Sequence, residues 1–410
     1  MRAIALGLTL CAALGAAGSD YSARREALRK ALPGGIIVVF GGVERDGDEV
    51  RSRFYQEPNF YYLTGWKEPG AILLIDPARE ALFLPDHNRD REQWTGPRAA
   101  AQDPQVRERS GFDTVLPAAH FESELRASLE QGQTLYTVGD DAKTRLRAFA
   151  PLREVAGAEL ALARLRMRKS PREIDLLQRA ADAAIAAHRA AWKKAAPGIY
   201  EYQVAATAVS TYMDLGCERS AYPPIVGSGP DSVYLHYEQN ERRMEAGDLL
   251  LMDAAGECSG YAADVTRTIP VSGRFTKRQR EIYQVVLGAQ QAVIDAIRPG
   301  VAIGTRTTGS LYQIAYDYID SHGKDLHGDS LGKYFNHGIS HQIGLEVHDA
   351  ADPAAPLEAG MVISVEPGIY IPEENLGIRI EDMVLVTQDG ARVLTAALPR
   401  EPADIEKALR

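Results

Sequence analysis

The sequence predicts a two-domain protein in which an α/β N-terminal domain precedes an α+β domain built from two pseudo-two-fold related halves. Length is the first observation, because 410 residues exceed what one hydrophobic core usually organises. The second is an alternation of short helical and strand patterns that continues to about Ala156. The third is a repeat, since the later part of the chain runs twice through a long helix, a Pro-Gly pair, a second helix and a strand.

The first eighteen residues are typical of a signal peptide. Arg2 supplies a positive start, residues 4–14 are apolar, and small residues follow at 15–18. The apolar run is shorter than the roughly 20 residues that span a bilayer, so no stable membrane span is expected. A disordered or helical N-terminus is the alternative, but we predict export and a periplasmic or secreted protein.

Composition and charge exclude some classes of function. Apolar residues make up 45% and charged residues 25% of the chain, as in ordinary globular proteins. The net charge is −10 and no basic block occurs, which argues against nucleic-acid binding. After signal cleavage Cys217 and Cys258 remain. Two cysteines make no disulfide framework and both could simply be packed, so the sequence does not predict a bridge and leaves their state open.

Residues 19–156 form the predicted N-terminal domain. An amphipathic helix over Ser22–Ala31 precedes a buried strand over Gly35–Phe40. Further strands are predicted at residues 61–63, 71–75 and 134–138, separated by Gly- and Pro-rich turns. Trp94 lies in a loop-like stretch, where a Trp usually packs but an exposed one marks a contact surface.

A linker is predicted over residues 157–169, followed by the second domain over 170–410. This domain begins with a capping box, in which Ser170 precedes a proline and Glu173 follows three residues later. Its repeat places the tripeptide Glu-Ala-Gly before a strand in each half, and a carboxylate stands six residues after each glycine. Each half adds a second acid on its next strand. The four acids are Asp253 and Asp264 in the first half and Glu366 and Glu381 in the second.

The stretch from Leu249 to Ile269 is predicted to form a β-hairpin, because two apolar or β-branched runs flank a Gly-rich middle. With its tip between Cys258 and Ser259, Asp253 would pair with Asp264 on one face. Two adjacent carboxylates repel each other, so one must be protonated or both must hold a cation. In the alternative interpretation the two aspartates only cap turns.

Histidines add to this acid set. His337, His341 and His348 fall in one short segment between the halves, and His236 follows a Gly-Ser-Gly loop. Arg379 and Glu381 are two residues apart in a strand-like stretch, so they should share a face and Arg379 should lie beside the acids. In the alternative interpretation Arg379 only forms a structural ion pair. Four carboxylates and one imidazole suit two divalent cations, most readily Mn²⁺, with Co²⁺ or Zn²⁺ as alternatives. The predicted reaction is hydrolysis by a metal-bridging hydroxide.

Six ordered motifs also resemble a known family. They are Ile225–Gly229, Leu235–Tyr237, Asp253 with Gly260–Thr268, His337–Asp349, Glu366–Tyr370 and Gly377–Asp382. These resemble aminopeptidase P and prolidase, the dinuclear metallopeptidases with the pita-bread fold. Residues 60–65 and 94–98 are similar to the aminopeptidase P N-terminal domain, so the resemblance covers nearly the whole mature chain.

The resemblance implies a role for individual residues. The implied metal ligands are Asp253, Asp264, His341, Glu366 and Glu381. Glu366 would also relay a proton, His236 and His348 would stabilise the oxyanion, and Arg379 would complete the catalytic set. The implied substrate-site residues are Tyr222, His337, Tyr370 and Trp94.

The resemblance further implies removal of an N-terminal residue that precedes proline. Trp94 would enter the active site of a neighbouring subunit, which implies a homodimer or homotetramer. Two alternatives remain open at this point: a prolidase, which cleaves only Xaa-Pro dipeptides, and a non-catalytic peptide-binding module on the same fold.

Overall fold

The computed structural model describes residues 20–45, 47, 53–129, 134–304 and 307–410. The predicted signal peptide, residues 1–18, lies outside these ranges. The chain divides into two compact units, Met1–Leu165 and Arg166–Arg410. The division falls within the predicted linker, most of which is helical. In the described ranges, no helix combines the length and apolar character that a membrane crossing requires.

The first unit contains a six-stranded mixed sheet in the order β4-β3-β2-β1-β5-β6. Its strands are β1 Ile36–Phe40, β2 Ile72–Ile75, β3 Glu80–Leu84, β4 Val115–Pro117, β5 Leu135–Thr137 and β6 Val155–Gly157. Its helices are α1 (residues 20–31), α2 Pro58–Thr64, α3 Arg89–Thr95, α4 Val106–Ser110, α5 Phe121–Leu129, α6 Asp140–Phe149 and α7 Glu159–Met167, with a 3-10 turn at Ala118–His120. Ile36, Leu74 and Phe83 from the sheet pack with Phe121 and Leu125 of α5 to form its core.

The predicted strand at residues 61–63 is wrong, because this segment belongs to helix α2. Pro58 occupies the start of the helix, and the Glu57 side chain accepts a hydrogen bond from the Phe60 backbone N–H at 2.6 Å. Gly65 ends the helix in the left-handed conformation. A proline at the start and a glycine after the end are helix signals, and they override the strand preference of the two tyrosines.

The second unit repeats one arrangement of two helices followed by strands. Its helices are α8 Pro171–Lys194, α9 Glu201–Asp214, α10 Lys277–Ala296, α11 Leu311–Ser321 and α12 Pro402–Ala408. The strands of the first half are β7 Arg219–Ser220, β8 Ile225–Ser228, β9 Leu249–Asp253, β10 Gly256–Cys258, β11 Tyr261–Ala262 and β12 Thr266–Pro270. Those of the second are β13 Val362–Val365, β14 Gly368–Ile371, β15 Leu376–Arg379, β16 Asp382–Val386 and β17 Ala391–Val393. Short 3-10 turns lie at Gly229–Val233, Leu331–Tyr334 and Pro372–Glu374.

The predicted capping box at the start of α8 is confirmed. The Ser170 hydroxyl accepts from the Glu173 N–H at 3.3 Å, and the Glu173 carboxylate accepts from the Ser170 N–H at 2.9 Å. Two N–H groups that the helix itself leaves without partners are thereby satisfied.

Cys217 and Cys258 form a disulfide, which settles a pairing that the sequence left open. Strand β7 pairs with β10, and the Glu218 N–H donates to the Glu257 carbonyl at 2.8 Å. This pairing brings the two cysteines together although 41 positions separate them in the chain. Spacing along the sequence could not show that contact.

Candidate metal centre

The first two acids lie on the hairpin that the sequence predicts, in a different register. Its tip is a two-residue turn of Ser259 and Gly260, with φ of 57° and 81°, the conformation that tight hairpins favour. Asp253 therefore lies opposite Thr266 and not opposite Asp264 as predicted. Asp264 lies two residues before Thr266, just outside strand β12, and it remains close enough to Asp253 for its charge to help raise the pKa of Asp253.

The other two acids lie opposite each other in the second half. Strand β13 pairs Val365 with Asp382, and β14 pairs Gly368 with Arg379. The register is the same in both ladders, and it places Glu366 opposite Glu381 in the gap between them.

His341 brings the two halves together. Its Nε2 lies 3.2 Å from Oδ2 of Asp264 and 3.4 Å from Oε1 of Glu366. Among the described residues, Asp264, His341 and Glu381 form a group whose possible ligand atoms all lie within 4.8 Å of one another. The loop that carries His341 is attached to β13, because Gln342 bridges to Ile363 and the His341 N–H donates to the Ser364 hydroxyl at 2.9 Å.

The electrostatics of the cluster suit bound cations. Burial, together with the neighbouring acids, raises the pKa of Glu366 to about 7 and the pKa of Glu381 well above its usual value. Burial also raises the pKa of Asp253, although Arg379 opposes the effect. Burial alone would lower the pKa of His341, but Asp264 and Glu366 raise it to about 9. Without metal, protons reduce the repulsion among these acids, and divalent cations bound to oxygen and imidazole ligands would do so more effectively.

Arg379 occupies the centre of a hydrogen-bond chain beside the acids. Its Nη2 donates to Oδ2 of Asp253 at 2.8 Å. This is an ion pair, as the alternative interpretation of Arg379 expected. Its Nη1 donates to the hydroxyl of Tyr370 at 3.0 Å, and that hydroxyl lies 3.0 Å from Nε2 of His337. The Tyr222 hydroxyl donates to the other oxygen of Asp253. The ion pair therefore belongs to the site and connects the acids to three predicted substrate residues.

The two remaining histidines lie at the edge of the cluster. The rings of His348 and His341 are 4.1 Å apart between centroids. Burial lowers the pKa of His348, and the charges of His341 and His236 lower it further. His236 is exposed.

Trp94 belongs to the first unit, where it lies near the end of α3 with 81% of its surface exposed.

Two hydroxyl residues that the sequence did not single out complete the centre. Thr266 donates to Oε2 of Glu381 at 2.7 Å, and Ser364 donates to Oε1 of Glu366 at 3.2 Å. Each stands two residues from a cluster acid, Thr266 after Asp264 and Ser364 before Glu366. A hydroxyl at that spacing on a strand shares the acid's face, and this signal could have identified both residues.

Comparison with known proteins agrees with this geometry. Residues 175–388 match metallopeptidase family M24, and residues 21–136 match the aminopeptidase P N-terminal domain. Xaa-Pro aminopeptidase of Escherichia coli strain K12 is 34% identical, over 94% of this chain and 96% of that protein. Xaa-Pro aminopeptidase 3 of mouse is 33% identical, over 91% of this chain and 80% of that protein.

Solved structures show the same similarity in three dimensions. Aminopeptidase PepP of Pseudomonas aeruginosa superposes with a TM-score of 0.85 at 30% identity, covering 96% of this chain and 98% of that one. Aminopeptidase P of E. coli with the inhibitor Pro-Leu gives 0.83 at 30% identity, with the same coverages. The fold and site thus define a metallopeptidase with the pita-bread fold, and the chain belongs to metallopeptidase family M24, within its aminopeptidase P proteins.

Proposed function

We propose that this protein is a Xaa-Pro aminopeptidase, which hydrolyses the bond between an N-terminal residue and a following proline. One observation carries the proposal: Asp264, His341 and Glu381 converge in a chain 34% identical to a Xaa-Pro aminopeptidase over 94% of its length. Proline explains the need for a dedicated enzyme, because its nitrogen carries no hydrogen and its ring fixes φ. Proteases that bind substrates as extended strands lose that donor.

Five side chains would hold two divalent ions, and they are Asp253, Asp264, His341, Glu366 and Glu381. Bound divalent ions supply Lewis acidity, which polarises a peptide carbonyl and makes water easier to deprotonate. We propose Mn²⁺ as the native metal, with Co²⁺ or Zn²⁺ as alternatives, because carboxylate oxygens dominate the ligand set. Elemental analysis of protein purified without added metal tests this choice.

The chain's own residues would do the remaining work. Glu366 accepts a proton from the attacking water and passes it to the leaving proline nitrogen. Its carboxylate adjoins the substrate position, since Oε2 lies 3.8 Å from Nδ1 of His337. His348 and His236 stabilise the developing oxyanion. His337, Tyr370 and Tyr222 line the substrate position, and Arg379 holds Asp253 and Tyr370 in place through the contacts described above.

A cleavage panel tests the activity. Metal-free protein loaded with Mn²⁺ is expected to release arginine from Arg-Pro-Pro and to leave Arg-Ala-Pro intact. Asp264→Asn should lose bound metal and activity, because it removes an anionic ligand, whereas Asp389→Asn on an exposed turn should lose neither. Cleavage of Xaa-Pro dipeptides alone would indicate a prolidase instead. Absence of both bound metal and cleavage would indicate a non-catalytic module.

We propose that the protein works as a homodimer or homotetramer. The exposed Trp94 supports this, because aromatic side chains are enriched where protein surfaces bind each other. Light scattering of the wild type and of Trp94→Ala tests it. A monomeric wild type would contradict the proposal.

We propose that the protein is periplasmic or secreted. The N-terminal pattern and the Cys217–Cys258 disulfide support this, because structural disulfides persist mainly in oxidising compartments. Fractionation of the native host and N-terminal sequencing of the purified protein test it. A cytosolic protein that retains residues 1–18 would contradict it.

A further inference from the structure

One long helix in each half carries a buried polar side chain that points at the strands bearing the acids. Helix α8 supplies His188 and helix α10 supplies Gln290, and both are fully buried. Each stands ten residues before the glycine of the Pro-Gly pair that follows its helix, Gly198 and Gly300 respectively. The two side chains therefore occupy the same place in the repeat.

His188 links the backbones of both acids in the first half. Its Nε2 lies 3.2 Å from the carbonyl oxygen of Ala254 and 3.0 Å from that of Val265. These residues directly follow Asp253 and Asp264. Carbonyl oxygens only accept hydrogen bonds, so the proton must be on Nε2, and Nδ1 has no partner among the described residues. Burial lowers the pKa of His188 to about 3, which keeps the ring neutral.

Gln290 makes the corresponding link in the second half. Its Nε2 lies 3.2 Å from the carbonyl oxygens of both Val365 and Ile380, the residues that directly precede Glu366 and Glu381. The same nitrogen lies 3.0 Å from Oδ2 of Asp382, while the amide oxygen accepts from Arg400 at 3.2 Å. In this half the bonded residues directly precede the acids, whereas in the first half they directly follow them. In both halves one side chain joins two segments that each carry an acid.

We propose that His188 and Gln290 are positioning residues for the metal centre, each fixing the separation of the two acids in its half. The four carboxylates repel one another before metal binds, and spreading either pair would break hydrogen bonds to the helix behind it. A neutral donor provides this restraint without adding charge to the site. The inference rests on the proposed dinuclear function, and it assigns the preorganisation of that site to two helices.

Metal binding to isolated variants tests the assignment. Gln290→Met and His188→Leu remove the donors at similar size, whereas Gln290→His and His188→Gln exchange the two donors between the halves. Gln313→Met is the matched control, because the Gln313 amide donates to Asp317 on the exposed side of α11, away from the acids. Metal-free protein is titrated with Co²⁺ and followed by visible absorption, and thermal unfolding of the same metal-free samples is recorded.

The donor-free variants are expected to bind Co²⁺ about 10- to 100-fold more weakly, the usual effect of removing a group that orients a ligand. The exchanged variants should recover most of that loss, with the control unchanged. A folded Gln290→Met that binds Co²⁺ as tightly as wild type would overturn the inference, as would weakening that the exchanged donor does not reverse. If His188→Leu fails to fold, His188→Gln and Gln290→Met decide the question. Wild-type protein that binds Co²⁺ but cleaves no Xaa-Pro peptide would defeat the proposed activity and leave this comparison valid.

Discussion

Thr266 provides a sensitive test of how the metal centre is held. Its side chain is fully buried, donates its single proton to Oε2 of Glu381 at 2.7 Å and accepts from Nε of Arg379 at 3.2 Å. Thr266→Val keeps the shape and removes both hydrogen bonds. A hydrogen bond to a charged group contributes about 1.5–3 kcal/mol. If that contribution is made mainly to the ionised form of Glu381, its loss should weaken metal binding about 10- to 100-fold.

Thr268 offers a matched control on the same strand. It is equally buried and also makes two hydrogen bonds, but both are to the backbone of Arg379, with distances of 3.0 Å and 3.2 Å. Thr268→Val should therefore reduce stability by about 1 kcal/mol and leave metal affinity within about twofold. Calorimetric titration of both metal-free variants with Mn²⁺, together with thermal unfolding, separates the two effects. Equal metal affinity in Thr266→Val and Thr268→Val would refute the reasoning.

Two further predictions concern pH and the disulfide. Metal-free protein should lose stability as the pH rises from about 4.5 to about 9. The folded chain holds the Glu366 proton up to a pKa of about 7 and the His341 proton up to a pKa of about 9, whereas the unfolded chain releases them near 4.5 and 6.5. Thermal unfolding in chelator across this range checks the sign, and a melting temperature that stays level or rises would contradict it. Replacing Cys217 and Cys258 together by alanine should lower the free energy of unfolding by about 4 kcal/mol, from the entropy of releasing a 41-residue loop. Denaturant titration without reductant measures the change, and an unchanged midpoint and slope would show that the bridge adds no stability.

The sequence alone was sufficient to predict which four acids the structure brings together. The Glu-Ala-Gly repeat singled out Asp253 and Glu366 by equal spacing, and the following strands supplied Asp264 and Glu381. Such local patterns can be recognised from the sequence because strand alternation and helix caps depend on residues that are near neighbours along the chain. The capping box at Ser170 was predictable for the same reason.

Tertiary structure decided how those residues meet. The turn at Ser259 and Gly260 set the hairpin register, so that Asp253 faces Thr266 instead of Asp264. The Cys217–Cys258 disulfide, the ion pair of Arg379 with Asp253, and the links from His188 and Gln290 all join segments distant along the chain. Such contacts depend on packing between elements, which no local spacing encodes, and they determine whether four like charges can be held together for a metal.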